Sequence, residues 1–171
     1  MFSKGQKVVY GQTGVCEITD ICDKELTPFN VKTYYVLKPI YQQNSTIYCP
    51  IDNDKVHMRN IMTKEQAEKL IELIPTVKTK DFSGDAQKEV AEEYRKAVNC
   101  DDCSELIVLT MSIYAKKQAA KEMNKKIGTV DERYMQRAEE LLFGELAASL
   151  EIDANEVQEY IKNRLKAKKL I

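Results

Sequence analysis

The pattern of apolar and polar positions reads as β through the first sixty residues, and from Thr63 onward its period is that of a helix. "KVVY", "GVCEITDICDK", "KTYYVLKPI", "STIYCPI" and "VHMRNI" are short segments rich in Val, Ile, Thr and Tyr. The stretches between them, "GQTG", "LTPFN", "YQQN" and "DND", carry turn residues. In the second segment Val15, Glu17 and Thr19 fall on one face, and Cys16, Ile18 and Ile21 mostly on the other. Five strands in this length predict a small SH3-like or Tudor-like barrel. Gly11 and Gly14 flank a tight turn where positive φ or close backbone approach would exclude larger residues.

The second part reads as helix throughout. "TKEQAEKLIELI" opens on a capping box, Thr63 with Gln66, sets Ala67, Leu70, Ile71 and Ile74 on one face, and stops at Pro75. "PTVKTKDFSGD" reads as a linker. "AQKEVAEEYRKAV" carries Val90, Ala91, Tyr94, Ala97 and Val98 as its apolar stripe. The next helix starts on an Asp101 or Asp102 cap and is apolar nearly all round from Leu106 to Ile113, which predicts a central position in a bundle. "TVDERYMQRAEELLFGELAASL" repeats the cap signal with Thr129 and Glu132, and Asp153 with Glu156 does so before "VQEYIKNRLKAKKL". The joints fall at Gly128 and near Ile152. The expected fold class is therefore α+β: a β module over residues 1–62, a bridging helix and linker over 63–80, and an all-α region over 81–171.

Composition narrows the function classes. At 171 residues, 43% apolar and 31% charged, the chain has the make-up of an ordinary soluble protein, with no run long enough to span a bilayer and no basic-then-apolar start. A cytoplasmic location is expected, without a membrane partner. Five cysteines at irregular spacing point to reduced thiols rather than a disulfide framework. Net charge is −1; residues 1–62 hold 7 Lys/Arg against 6 Asp/Glu, and residues 63–171 hold 19 against 21. Any contact with nucleic acid must come from a local patch or a second tether.

Candidate chemistry is sparse. The one histidine, His57, sits in a predicted strand, no nucleophile sits in a strained elbow, and no glycine-rich loop leads into a helix with a following Lys-Ser/Thr. Carboxylates fall on helix faces that read as solvated. Neither an enzyme, a cofactor nor a small-molecule substrate is expected. Cys100 and Cys103 have metal-ligand spacing, but a structural zinc site wants four ligands and a second pair is missing, so no metal is expected. Basic clusters carry more weight. Lys116, Lys117, Lys121, Lys125 and Lys126 crowd one helix end, Arg133 and Arg137 lie one turn apart on the next helix, and the macrodipole accounts for only one or two of the lysines. The 116–137 region is a candidate phosphate-contacting surface, whereas Lys162, Arg164, Lys166, Lys168 and Lys169 read as a solvated end. Tyr41 and Tyr48 bracket a turn in a predicted edge hairpin, where an exposed sheet edge could take another protein's strand.

The layout resembles the CarD family of bacterial transcription regulators over almost the whole chain. The resemblance rests on "KGQKVVYGQTGVCEI", "YYVLKPI", "IYCPID" and "RAEELLFGELAASL". It implies a Tudor-like module, shared with transcription-repair coupling factor, that docks on the RNA polymerase β subunit by edge-strand pairing. No helicase follows here, so a CarD-like regulator of transcription initiation is expected rather than the coupling factor. The strand carried over runs through Ser45, Thr46, Ile47, Tyr48 and Cys49, and a basic residue expected after the second strand matches Lys24. A second basic position of the family is Tyr48 here.

The resemblance also implies a helical domain that reaches promoter DNA and stabilises the open complex. Many relatives place a tryptophan there before an Arg-Arg-Tyr run. This chain has no tryptophan; in "EVAEEYRK" Val90 takes the wedge position and Glu92-Glu93 replace the arginines. Exchanging two bases for two acids moves local charge by about four units against DNA. Arg95 remains beyond the tyrosine, and Lys116 and Arg133 match other basic positions. The expected DNA-facing residues are thus Val90, Arg95, Lys116, Lys117, Arg133 and Arg137, making weak contacts that depend on tethering to polymerase. The alternative expectation is a polymerase-binding adaptor that does not touch DNA.

Overall fold

In the computed structural model, residues 1–42, 44–82, 87–100 and 102–171 are described. The chain divides into two compact units, Met1–Met62 and Thr63–Ile171. The first holds strands β1 (Lys7–Tyr10), β2 (Gly14–Thr27), β3 (Asn30–Pro39), β4 (Ile47–Pro50) and β5 (Met58–Asn60). The second holds helices α1 (Lys64–Leu73), α2 (Gln87–Asn99), α3 (Cys103–Glu122), α4 (Thr129–Leu150) and α5 (Val157–Ala167). The alternative cap Asp101, the first residue of the predicted second helix, Ala86, and Gln43 and Ser83–Asp85 in the predicted loops lie outside the described residues.

The strands form one antiparallel sheet in the order β4-β3-β2-β1-β5. Its core gathers Val8, Cys16, Ile18, Tyr35, Leu37 and Cys49. Strand β2 owes its face pattern to a bulge between Ile18 and Asp20. Thr19 is the extra residue, and its hydroxyl donates to the Val36 carbonyl at 3.2 Å. The inserted residue shifts the parity, so that Ile21, opposite Tyr35, keeps to the face of Ile18, opposite Leu37. The β2–β3 hairpin is longer than the sequence suggests. "LTPFN" is mostly strand rather than loop, with the reversal at Pro28-Phe29 and Phe29 at φ 61°. Lys24 therefore lies inside β2, not after it.

The turn after β1 needs its glycine. Gly11 has φ +44°, its N–H donates to the His57 carbonyl at 2.9 Å, and a Cβ there would meet Val56 Cγ1 at 2.8 Å. Gly11→Ala should lower the stability of the first unit by about 1–2 kcal/mol, through a strained φ and a displaced valine. Gly5 also has positive φ, +82°, but open space around it. Gly5→Ala should therefore cost less, and equal thermal midpoints for the two variants would contradict this account. His57 itself lies just before β5.

In the second unit the Thr63–Gln66 capping box is formed, with Thr63 Oγ1 accepting from the Gln66 N–H at 3.2 Å and Gln66 Oε1 from the Thr63 N–H at 2.8 Å. Helix α1 is not a freestanding bridge: it packs on α4 and α5, burying Ala67 and Ile71. Arg164 on α5 reaches Glu68 at 3.1 Å and Glu72 at 2.9 Å, and Lys168 reaches Glu72 at 3.3 Å. Two cations of the supposed solvated end are thus spent on α1, because acids at i and i+4 on one helix present a fork to the guanidinium. Helix α3 buries Leu106, Ile107, Leu109 and Ile113. The last seven residues of α4, Gly144–Leu150, are buried without exception; Gly144, Ala147, Ala148 and Ser149 are small enough to let neighbouring backbones close in on every side. Among the described residues no helix is long and apolar enough to cross a membrane.

Candidate functional site

The residues singled out by sequence fall in both units, along one sheet edge in the first and on helices α2, α3 and α4 in the second. In the first unit β4 is a terminal strand, paired among the described residues only with β3. The bond from the Ile51 N–H to the Thr33 carbonyl, 3.1 Å, fixes the parity of this edge. In an antiparallel ladder alternate residues turn their backbone groups toward the partner. Ile47 and Cys49 therefore bond to β3, while Tyr48 turns its N–H and C=O to the open side; Pro50, the next outward residue, has no N–H to offer.

The side chains sort with the same alternation. Cys49 is fully buried in the core beside Tyr35, so its thiol cannot meet a partner, which corrects its place among the interface residues. Burial raises its thiol pKa. Ser45 and Thr46 precede the strand, which begins at Ile47, and the Ser45 hydroxyl is shut off from solvent with no partner among the described residues. Tyr48 points to the opposite face, 36% exposed, with its ring edge-on to buried Tyr34 at 6.5 Å between centroids. Lys24 Nζ stands 3.7 Å from the centre of the Tyr48 ring. Lys24 and Tyr48 thus make one cationic, aromatic patch beside the open edge.

In the second unit four of the candidate DNA-facing residues line two recesses. Val90 and Lys116 line the same recess of about 360 Å³ with Phe82, Gln87, Val130 and Asp131. Arg133 and Arg137 line another with Tyr134 and Glu140. Several of the charges are already engaged. Arg95 is 2.9 Å from Glu92, Arg137 is 3.1 Å from Glu140, and Arg133 lies over the Tyr134 ring at 5.1 Å. Lys117 is exposed and lies near Glu139, whose carboxyl burial pushes up and the Lys117 charge pulls back.

Lys116 belongs to a buried network that sequence reasoning missed. Asp131, 6% exposed, accepts from the Tyr94 hydroxyl at 2.6 Å and from Lys116 Nζ at 2.9 Å on one oxygen, and from the Gly128 N–H at 3.3 Å on the other. Tyr94 is fully buried between Phe82 and Tyr134, at 5.1 and 5.5 Å between ring centroids. Burial raises the Asp131 pKa, but these hydrogen bonds and the Lys116 charge outweigh it and hold the carboxyl below its usual range. Burial first, and then Asp131, raise the phenol of Tyr94 far above its ordinary value. The helix cap is one residue earlier than the sequence suggests: Gly128 is the N-cap, and Asp131 rather than Glu132 is the acid that bonds back to it. Asp131 and Glu145, 2% exposed, correct the expectation that the carboxylates lie on solvated faces.

Residues 2–62 match the family model of the CarD-like/TRCF RID domain. The match ends where the first compact unit ends, so "RAEELLFGELAASL" lies outside it. None of the curated proteins matches the chain. The family is a protein-interaction domain of RNA polymerase-interacting, transcription-related proteins, and its Tudor-like fold agrees with the five-stranded sheet found here. The first unit of this chain is a CarD-like/TRCF RID domain.

Proposed function

We propose that the chain is a CarD-like transcription regulator that docks on the RNA polymerase β subunit through the open edge of β4 and brings its helical unit to promoter DNA. The observation that carries this reading is the outward Tyr48 backbone on a terminal strand, flanked by Lys24, in a domain of this family. A strand added there gains main-chain hydrogen bonds, with the Lys24–Tyr48 patch supplying side-chain selectivity. The DNA contact is weak and largely indifferent to sequence, because Arg95, Lys116 and Arg137 already carry acidic partners. Held beside the promoter by polymerase, Lys117 and Arg133 reach phosphates at high effective concentration and change the lifetime of the open complex.

A second reading is favoured by α2, whose Glu92 and Glu93 are exposed beside Arg95. On that reading the chain is a polymerase-bound adaptor whose helical unit meets protein rather than DNA. The test uses the double variant Lys117→Glu, Arg133→Glu, and spares Lys116 because of its bond to Asp131. The regulator predicts unchanged polymerase binding, a weaker polymerase-dependent footprint upstream of the melted region, and a shorter or longer open-complex lifetime than the unaltered chain gives. A footprint and lifetime identical to those of the unaltered chain would favour the adaptor.

A further inference from the structure

Helices α3 and α4 pack antiparallel, with Cys103 meeting Glu145 at one end of the pair and Lys116 meeting Asp131 at the other. The pair walls a trough of about 390 Å³, and none of the candidate DNA-facing residues lines it. Its two long walls match in spacing: Ile107, Met111 and Tyr114 from α3, and Met135, Glu139 and Leu142 from α4, each set at i, i+4 and i+7. Each wall is therefore two turns long, roughly 10 Å. Ile107 and Leu142 are buried, Met111, Met135 and Glu139 are half-buried, and Tyr114 is 46% exposed. Ile74 and Ile161 extend the apolar lining from the end of α1 and from α5. Thr110 adds little polarity, because its hydroxyl donates to the Leu106 carbonyl at 2.8 Å. Glu139 is the charged residue of this otherwise uncharged lining. It makes no hydrogen bond or ion pair among the described residues; burial raises its pKa, and Lys117 opposes this only through the field of its charge.

We infer that this trough seats a basic amphipathic helix of a partner protein, its apolar stripe laid between α3 and α4 and a lysine or arginine beside that stripe donating to the Glu139 carboxylate. Two parallel walls of two turns each suit a third helix that offers its own i, i+4, i+7 stripe. A small-molecule site encloses most of its ligand, whereas half-buried methionines and an exposed Tyr114 cover one side of an occupant only. Methionine is unbranched and adapts to the surface it meets. Charge decides which helix fits. A carboxylate half withdrawn from water gains from a cation that bonds its oxygens directly, and an acid placed there would be repelled. Lys117 is exposed and acts from beyond ion-pair distance, so that place is left to the occupant. The inference is independent of whether the helical unit also meets DNA.

The test uses the full-length chain carrying carbon-13 in its methionine methyls, and three short fluorescent helical peptides. The peptides are identical but for Lys, Gln or Glu beside a leucine stripe at i, i+4 and i+7. The Lys peptide should bind about fivefold more tightly than the Gln peptide, and the Glu peptide more weakly than both. Binding should move the methyl resonances of Met111 and Met135 and leave those of Met58 and Met123, outside the trough, in place. Glu139→Gln should bind all three peptides alike, with the affinity the unaltered chain shows for the Gln peptide. No shift at Met111 and Met135, or the same order of peptides in Glu139→Gln as in the unaltered chain, overturns the inference. Saturation of these methyls by hexylammonium at the concentrations of the Lys peptide overturns it in favour of a site for small amines. A shift that grows with the concentration of the chain alone overturns it in favour of a second copy. Should Glu139→Gln fail to fold, the peptide order and the methyl shifts of the unaltered chain decide.

Discussion

Replacing Asp131 with alanine is expected to destabilise the helical unit by about 3 kcal/mol, most of it from the groups left behind rather than the charge removed. The Tyr94 hydroxyl has no exposure and loses its acceptor, which costs about 1–3 kcal/mol for a buried donor without a partner. The Gly128 N–H loses its capping bond at the start of α4, worth about 1 kcal/mol. Lys116 is half-exposed and returns to water, so the broken ion pair adds little. Three variants separate these contributions: Lys116→Ala should cost at most about 1 kcal/mol, Tyr94→Phe about 1 kcal/mol, and Asp131→Ala more than either. Thermal unfolding of the full chain reads the series, and a midpoint for Asp131→Ala no lower than for Lys116→Ala would contradict it.

The same carboxylate gives the fold a dependence on acid. Its pKa is lower in the folded chain than in the unfolded one, so its contribution is fully present above the ordinary aspartate value and is lost as pH falls through the folded value. Stability measured from about pH 5 downward should fall less steeply in Asp131→Asn than in the unaltered chain.

What the sequence made legible and what it hid follow from how local each signal is. The Thr63–Gln66 box and the Gly11 turn were readable because a cap or a turn is decided by residues three or four apart. The start of α4 was misread by one residue, since Thr129 is as good a cap by type as Gly128; only Tyr94, 37 positions away and packed on Asp131, chooses between them. Glu145 was hidden for a related reason: in "FGELAAS" the small neighbours mark close packing, but its contact with Cys103 is made across to another helix, 42 positions away. At the candidate interface the sequence marked out a segment but not its parity. A strand taken to run from Ser45 to Cys49 offers five candidates, and the register against β3 leaves Tyr48 as the residue whose backbone donor and acceptor both face outward.

That parity yields the sharpest test of docking. Tyr48→Pro removes the outward N–H and places a ring where an added strand would lie, while the bonds from β4 to β3 run through Ile47, Cys49 and Ile51 and are untouched. Proline is tolerated at such an outward position on an edge strand, so the domain should fold. Loss of one main-chain bond, with the incoming carbonyl left without a donor, costs about 1–3 kcal/mol, or roughly fivefold to 150-fold in affinity for the polymerase β subunit. Tyr48→Ala is the control for the side chain: it removes the ring under Lys24 but keeps the N–H, and should weaken binding only a few-fold. Lys24→Ala should match it, because it strips the same patch from the other side. Equal affinities for the proline and alanine variants would mean that the Tyr48 N–H takes no part in binding, and that the partner is held through the side-chain face of the sheet instead.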